Sequence, residues 1–251
     1  MARLSASLAI PAALLLAACV QVQPAPYPAG PVEAETAPLP AYSDAPSQRV
    51  DVQTAARNFV AVVARMEPLV ERECRARVAG GNCDFAIVVD DRLDQPANAY
   101  QTLDRAGRPV IAFTIPLIAE ARNTDELAFI LGHEASHHIL EHIPRQQQSA
   151  LTGALILGGL TAMTGGDARA VEQAQNVGAT VGGRTYSKDF ELEADQMGAE
   201  LAYWAGYDPV RGAAFFARIP DPGNRFLGSH PPNSQRIETV RRTVARLQGG
   251  Y

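Results

Sequence analysis

The chain has 251 residues, 47% of them apolar and 20% charged, with a formal net charge of −5. That composition excludes a wholly disordered chain, a coiled coil and a collagen-like repeat. Lys plus Arg number 22 against 27 Asp plus Glu with no dense basic run, so nucleic acid is not an expected partner. Of 5 His in the chain, all but His230 fall between His133 and His142.

Residues 1–19 read MARLSASLAIPAALLLAAC. Arg3 precedes an apolar stretch, Leu4 to Ala18, that is too short and too rich in small residues to span a bilayer. Residues 1–18 therefore read as a secretory signal. Leu16-Ala17-Ala18-Cys19 resembles the bacterial lipobox, which is cut before the Cys so that Cys19 carries lipid; the alternative is an ordinary signal with an incidental Cys. Val20 stands where lipoprotein sorting would read an inner-membrane Asp, which favours the outer membrane. Residues 19–48 form the lipidated Cys and a Pro-rich segment. It cannot bury enough surface to offset its ordering entropy, so an extended tether is expected. The folded domain is expected over 49–251.

Between Val50 and Val78 the apolar residues Phe59, Val62, Val63, Met66, Leu69 and Val70 recur in steps of three and four, predicting a long helix. Cys74 and Cys83 flank a Gly80-Gly81-Asn82 turn that can bring them together as a disulfide in an oxidising compartment; two free buried thiols are the alternative. Phe85–Val89 and Pro109–Ile115 read as strands, with Asn98-Ala99-Tyr100 a short segment between them, giving a small sheet. Asn123 is an N-cap, and Glu126 can close a capping box on a helix running DELAFILGHEASHHILEH to a stop at Pro144. Residues 150–183, rich in Ala and Gly, predict a close-packed helical hairpin, with a membrane-dipping or substrate-contacting segment as the alternative. Helices are expected over Phe190–Trp204, Pro209–Ile219 and Ser234–Leu247. The fold class is α+β, mostly helical.

His133-Glu134-Ala135-Ser136-His137 is an H-E-x-x-H motif within that helix. Residues four apart share a helix face, about 6 Å along the axis, so two imidazoles there can grip one Zn²⁺ from one side. Glu134, one step round, can act as general base on a water without itself ligating. Chance occurrence in a chain of this length is on the order of 1%, so a third ligand has to be found. Glu191 and Asp195 are four apart on another helix. One can bind metal while the other accepts the outer ring N–H of a ligand His. Glu193 points away from both and reads as a surface charge. His138 and His142 read as structural or surface residues.

H-E-A-S-H, Y-S-K-D-F-E-L-E-A-D-Q-M-G-A-E-L-A-Y-W-A-G-Y-D-P and F-L-G-S-H-P-P-N-S-Q-R-I together resemble the HtpX-like zinc metallopeptidases. That family includes the CAAX prenyl proteases, the Oma-type proteases, and periplasmic BepA-like and LoiP-like proteins. The resemblance covers roughly 50–247 and implies a gluzincin fold with a small sheet beside the H-E-x-x-H helix. It implies one zinc per chain, His133, His137 and Glu191 as ligands, Glu134 as base and Asp195 as support. It implies that His230, otherwise a surface His before a Pro turn, can approach the zinc from a loop and gate it. Thr114-Ile115-Pro116 departs from the Gly often found there in the family, which touches the cleft rim rather than the metal. The lipobox and tether point to the periplasmic lipoprotein branch, probing unfolded or misassembled envelope proteins near outer-membrane assembly machinery. A non-proteolytic assembly factor or chaperone is the alternative function.

Overall fold

The computed structural model describes residues 49–185, 187–221, 223 and 230–249. The signal-like stretch, Cys19 and the Pro-rich tether lie outside the described residues, as do Tyr186 and residues 224–229 ahead of His230. Helix α1 (Val52–Arg77) starts where the Asp51 carboxylate accepts the Thr54 N–H at 3.0 Å. Its buried stripe of Phe59, Val62, Met66, Leu69, Val70 and Cys74 follows the helical repeat. A disulfide joins Cys74 to Cys83 with the Cα atoms 5.7 Å apart, across a turn in which Gly80 takes φ 73°. On the chain-entropy view, closing so short a loop stabilises the fold by about 2–3 kcal/mol.

Strands β1 (Ala86–Asp90), β2 (Ala99–Leu103) and β3 (Pro109–Thr114) form a mixed sheet in the order β1-β3-β2. β1 runs parallel to β3, pairing Val88 with Ala112; β2 runs antiparallel, pairing Gln101 with Ile111. The central strand is the apolar one, burying Ile111, Ala112 and Phe113. β2 is longer than its sequence suggests, because Gln101 and Thr102 break any apolar alternation and pairing with β3 alone makes them a strand. Thr114 ends β3, caps the short helix α2 (Ile115–Glu120), donates to the Pro96 carbonyl and accepts the Asn98 N–H. It thereby ties down the segment that leads into β2.

Helix α3 (Thr124–Ile139) runs through the centre, buried nearly all round between the sheet and α1 on one side and later helices on the other. Asn123 caps it, accepting the Glu126 N–H at 3.0 Å. The reciprocal half of the expected capping box does not form. The Glu126 carboxylate, 1% exposed, accepts the Arg122 N–H at 2.9 Å and two Arg218 N–H groups at 2.7 Å each. Its neighbour Asp125 accepts the Asp208 N–H at 3.0 Å and pairs with Arg211. Both buried carboxylates sit at the positive end of the helix dipole. They hold the first turn of α3 against α7 (Pro209–Ala213) and the 3₁₀ turn Ala214–Ala217 that follows it.

The helix stops earlier than Pro144 requires. Glu141 takes a left-handed conformation (φ 55°, ψ 36°), and α4 (His142–Met163) starts at once in a new direction. Pro144 then falls in the first turn of α4, where its missing N–H has no helical acceptor to lose. α4 and α5 (Ala168–Thr185) form a hairpin in which a Cβ on Gly153 or Gly178 would run into the backbone of the other. The outer face of the hairpin exposes Leu151, Leu155, Ile156, Leu160 and Met163. Among the described residues, no helix is long and apolar enough to cross a membrane.

α6 (Ser187–Trp204) crosses α3 at Gly132 and Gly198, and α8 (Asn233–Gln248) packs on α6. A Cβ on Gly132 would lie 2.8 Å from the Gly198 carbonyl oxygen, so the two backbones touch.

The hairpin contact is testable. Gly178→Val is expected to destabilise the hairpin by about 1–3 kcal/mol through overpacking, seen as faster hydrogen exchange confined to residues 142–185. Gly159→Ala, whose Cβ would meet nothing within 4 Å, is expected to be neutral or to stabilise by about 0.5–1 kcal/mol. Equal effects at the two positions would show that the helices do not rely on backbone contact.

Candidate metal centre

One turn of α3 separates His133 from His137, and their Nε2 atoms converge to 3.2 Å. From α6, Glu191 brings Oε2 to 3.6 Å from His133 Nε2 and Oε1 to 3.6 Å from His137 Nε2. Ligand bonds of 2.0–2.1 Å at tetrahedral angles put neighbouring ligand atoms about 3.3–3.4 Å apart. The three residues therefore fit three corners of a tetrahedral metal site, and they are the metal-ligand cluster found among the described residues. Zn²⁺ suits two imidazoles and a carboxylate.

The second carboxylate of α6 does different work. Asp195 is fully buried, and its Oδ1 lies 2.9 Å from His133 Nδ1. It is also gripped by Arg236 of α8, Nε to Oδ2 at 2.8 Å and Nη2 to Oδ1 at 2.7 Å. Burial raises the Asp195 pKa, but the Arg236 charge and its hydrogen bonds outweigh it and the carboxyl stays ionised. The Arg236 Cζ lies over the Phe216 ring, 3.8 Å from its centroid, and its Nη2 stands 3.5 Å from Glu191 Oε2. In the same way burial pushes the Glu191 carboxyl up, while His230, His133 and Arg236 together hold it well below the usual carboxylate range. Burial and the neighbouring His133 push His137 down to about 3, which leaves its imidazole neutral and free to ligate.

Glu134 lines the cleft one step round α3 from the ligand face. Burial raises its pKa and the neighbouring Glu191 adds to the rise, while His133 and Arg236 oppose it. β2 is an edge strand of the sheet, and its first residues line the cleft. The cleft measures about 630 Å³ and is walled by Ala97–Gln101 on the β2 side and Phe215, Phe216 and Ile219 opposite.

His230 comes to Glu191 rather than to the meeting point of the three ligands, its Nδ1 3.1 Å from Glu191 Oε2 and its side chain 53% exposed. His138 faces elsewhere, against the Asn82 carbonyl at 2.8 Å. Two residues read from the sequence as surface or structural groups belong to the site's surroundings. His142 is buried with its Nδ1 2.9 Å from His137 Nδ1, and Glu193 joins His142 at 3.1 Å and Arg145 at 2.7 Å. His142 is thus structural rather than a ligand, brought back over His137 by the left-handed Glu141, and Glu193 is a half-exposed charge held by His142 and Arg145. Arg236 was overlooked. It carried one signal, an Arg on the buried face of an amphipathic helix, where a charge needs a partner.

The sequence pattern of peptidase family M48 matches residues 62–244. Among curated proteins, the chain is 29% identical over 132 residues to a putative beta-barrel assembly-enhancing protease of Vibrio cholerae, covering 49% of this chain and 26% of that one. It is 26% identical over 202 residues to the mitochondrial metalloendopeptidase OMA1 of Bos taurus, covering 74% and 37%. It is 27% identical over 139 residues to the beta-barrel assembly-enhancing protease of Yersinia pestis, covering 50% and 29%. The matched stretches thus span between 26% and 37% of the relatives' own lengths.

The crossing of α3 and α6 sets the ligand spacing. A Cβ on Gly198 would lie 2.7 Å from the His133 N atom. Gly198→Ala is therefore expected to lower stability by about 1–3 kcal/mol and to weaken metal binding, measured by thermal melts and by chelator competition. Unchanged metal affinity would show that the site tolerates a wider helix separation.

Proposed function

The chain belongs to peptidase family M48, and we propose that this metallopeptidase is a zinc-dependent endopeptidase of the bacterial cell envelope, cutting misfolded or stalled envelope proteins. The observation that carries the reading is the three-ligand corner of His133, His137 and Glu191 with Glu134 beside it in an open cleft. When bound there, one zinc per chain supplies a Lewis acid that polarises a carbonyl and acidifies water. Glu134 takes the proton of the attacking water and delivers it to the leaving nitrogen. Its raised pKa suits a group that must both take and give a proton. Asp195, held by Arg236, orients His133 and raises its basicity as a ligand.

The outer edge of β2 offers main-chain groups to an extended peptide, the mode in which a substrate adds a strand to a sheet. Such a mode reads backbone and asks for an unfolded segment. The apolar hairpin face supports the same substrate class, because α4 begins at the cleft wall with His142, Ile143 and Gln146. We assign His230 as a gate over the metal corner, a reading supported by its contact with the ligand Glu191 at the cleft mouth. Cys19 is proposed to carry lipid and to hold the domain at the outer membrane through the Pro-rich segment. The β-barrel assembly in the names of the Vibrio and Yersinia proteins supports an envelope setting near assembly machinery.

Purified protein is expected to degrade casein. Glu134→Gln should lose about 10²–10⁴-fold in rate and still hold one zinc by atomic absorption. Wild-type protein that binds zinc and leaves unfolded substrates intact would favour an assembly factor without proteolysis. His230→Ala is expected to raise proteolysis with zinc content unchanged; a lower rate would assign His230 to the chemistry instead of the gate.

The anchor is tested separately. Mass spectrometry of the mature protein should find an acylated Cys19, and Cys19→Ser should release the protein from membranes. An unmodified N-terminus downstream of residue 19 would remove the anchor from the proposal.

A further inference from the structure

We infer that His142 is a positioning residue for the ligand His137, the middle of a directed relay His137–His142–Glu193 that fixes which ring nitrogen of His137 faces the metal. The inference rests on the zinc reading above. The two ligand imidazoles differ in what their outer nitrogens meet. His133 Nδ1 meets an anion, Asp195, at 2.9 Å. His137 Nδ1 meets another imidazole, His142 Nδ1, also at 2.9 Å.

Two ring nitrogens at that distance need one donor and one acceptor. His137 Nε2 faces the other ligand atoms, so its lone pair is committed there and its proton sits on Nδ1. His142 Nδ1 must then accept. A neutral His142 carries its own proton on Nε2, where Glu193 Oε2 accepts it at 3.1 Å. Glu193 is an ionised acceptor because Arg145 holds both its oxygens, Nη1 to Oε2 at 2.7 Å and Nη2 to Oε1 at 3.3 Å. Every link has one direction, and reversing any of them would break another.

The surroundings hold His142 in this pose. It is 3% exposed and stacks on Phe190, with ring centroids 4.7 Å apart and planes 10° from parallel. Arg145 lies over the same Phe190 ring at 4.3 Å. Its position depends on the left-handed Glu141 (φ 55°). On a continuous helix a residue five beyond His137 would point about 140° away and about 7.5 Å further along. His137 therefore receives from the start of α4 the support that His133 receives from α6, with the negative charge one imidazole further off.

The experiment is zinc affinity, measured by competition with a chromophoric chelator on the purified protein, with folding followed by circular dichroism. His142→Ala is expected to weaken zinc about 10–100-fold. His142→Asn, whose amide oxygen can accept from His137 Nδ1–H, is expected to recover most of that loss. A role in packing alone would not separate Asn from Ala in this way. Where His142→Ala does not fold, Glu193→Ala removes the last acceptor from a half-exposed position and should still weaken zinc several-fold. Wild-type zinc affinity in His142→Ala, or in Glu193→Ala, overturns the inference, as does an Asn variant no better than Ala. Wild-type protein that binds no zinc overturns the zinc reading itself and the inference with it.

Discussion

Two backbones in contact set the geometry of this molecule. At Gly132 and Gly198 the helices α3 and α6 approach until a single methyl group on either would collide with the other's main chain. Helices bearing ordinary side chains at their contact cross 8–10 Å apart, and closer approach needs residues with no side chain. The approach is what lets a short Glu191 side chain reach two imidazoles on the opposite helix, and what puts the shorter Asp195 against His133 Nδ1. Long, flexible ligands could bridge a wider gap, but they would lose the fixed orientation that a metal corner requires.

Around this contact the molecule buries charge and partners it. Asp195 faces Arg236, Glu126 faces Arg218, and Asp125 faces Arg211. Buried pairs of this kind contribute little net stability, since desolvation cancels much of the attraction. Their value is direction. Arg236 comes from α8 and seats that helix beside the ligands; Arg218 and Arg211 come from the α7 region and seat the Phe215–Phe216 wall of the cleft. Each carboxylate is thus a joint between an element that carries the site and one that encloses it.

Periodic features were legible in the sequence and non-periodic ones were not. The helical repeat of α1, the one-turn spacing of His133 and His137, and the four-residue spacing of Glu191 and Asp195 all follow from 3.6 residues per turn. A resemblance to a known family chose between the two carboxylates, which spacing alone left open. β2 was nearly invisible, because an edge strand with Gln101 and Thr102 in it is a strand only by virtue of its partner. Glu126 looked like half of a capping box, and only the tertiary approach of Arg218, 92 residues on, redirects it. The contact of His142 with His137 was not legible because one residue, Glu141, takes a backbone conformation that sequence rarely announces. Arg236 belongs to a pairing across 41 residues that no local pattern encodes.

The α4–α5 hairpin also bears on how the site assembles as the chain folds. His137 and Glu191 stand 54 residues apart, and a flexible loop of that length would have to close before the two ligand helices met. Most of the described chain between them is helical. It is two helices packed mainly on each other, with ends that lie beside the site. Once such a local unit has formed, the search that joins the two halves of the centre turns on the short joint at Leu140–Glu141. Local contacts form quickly and distant ones slowly, so a self-contained insert turns a long-range closure into a short-range one.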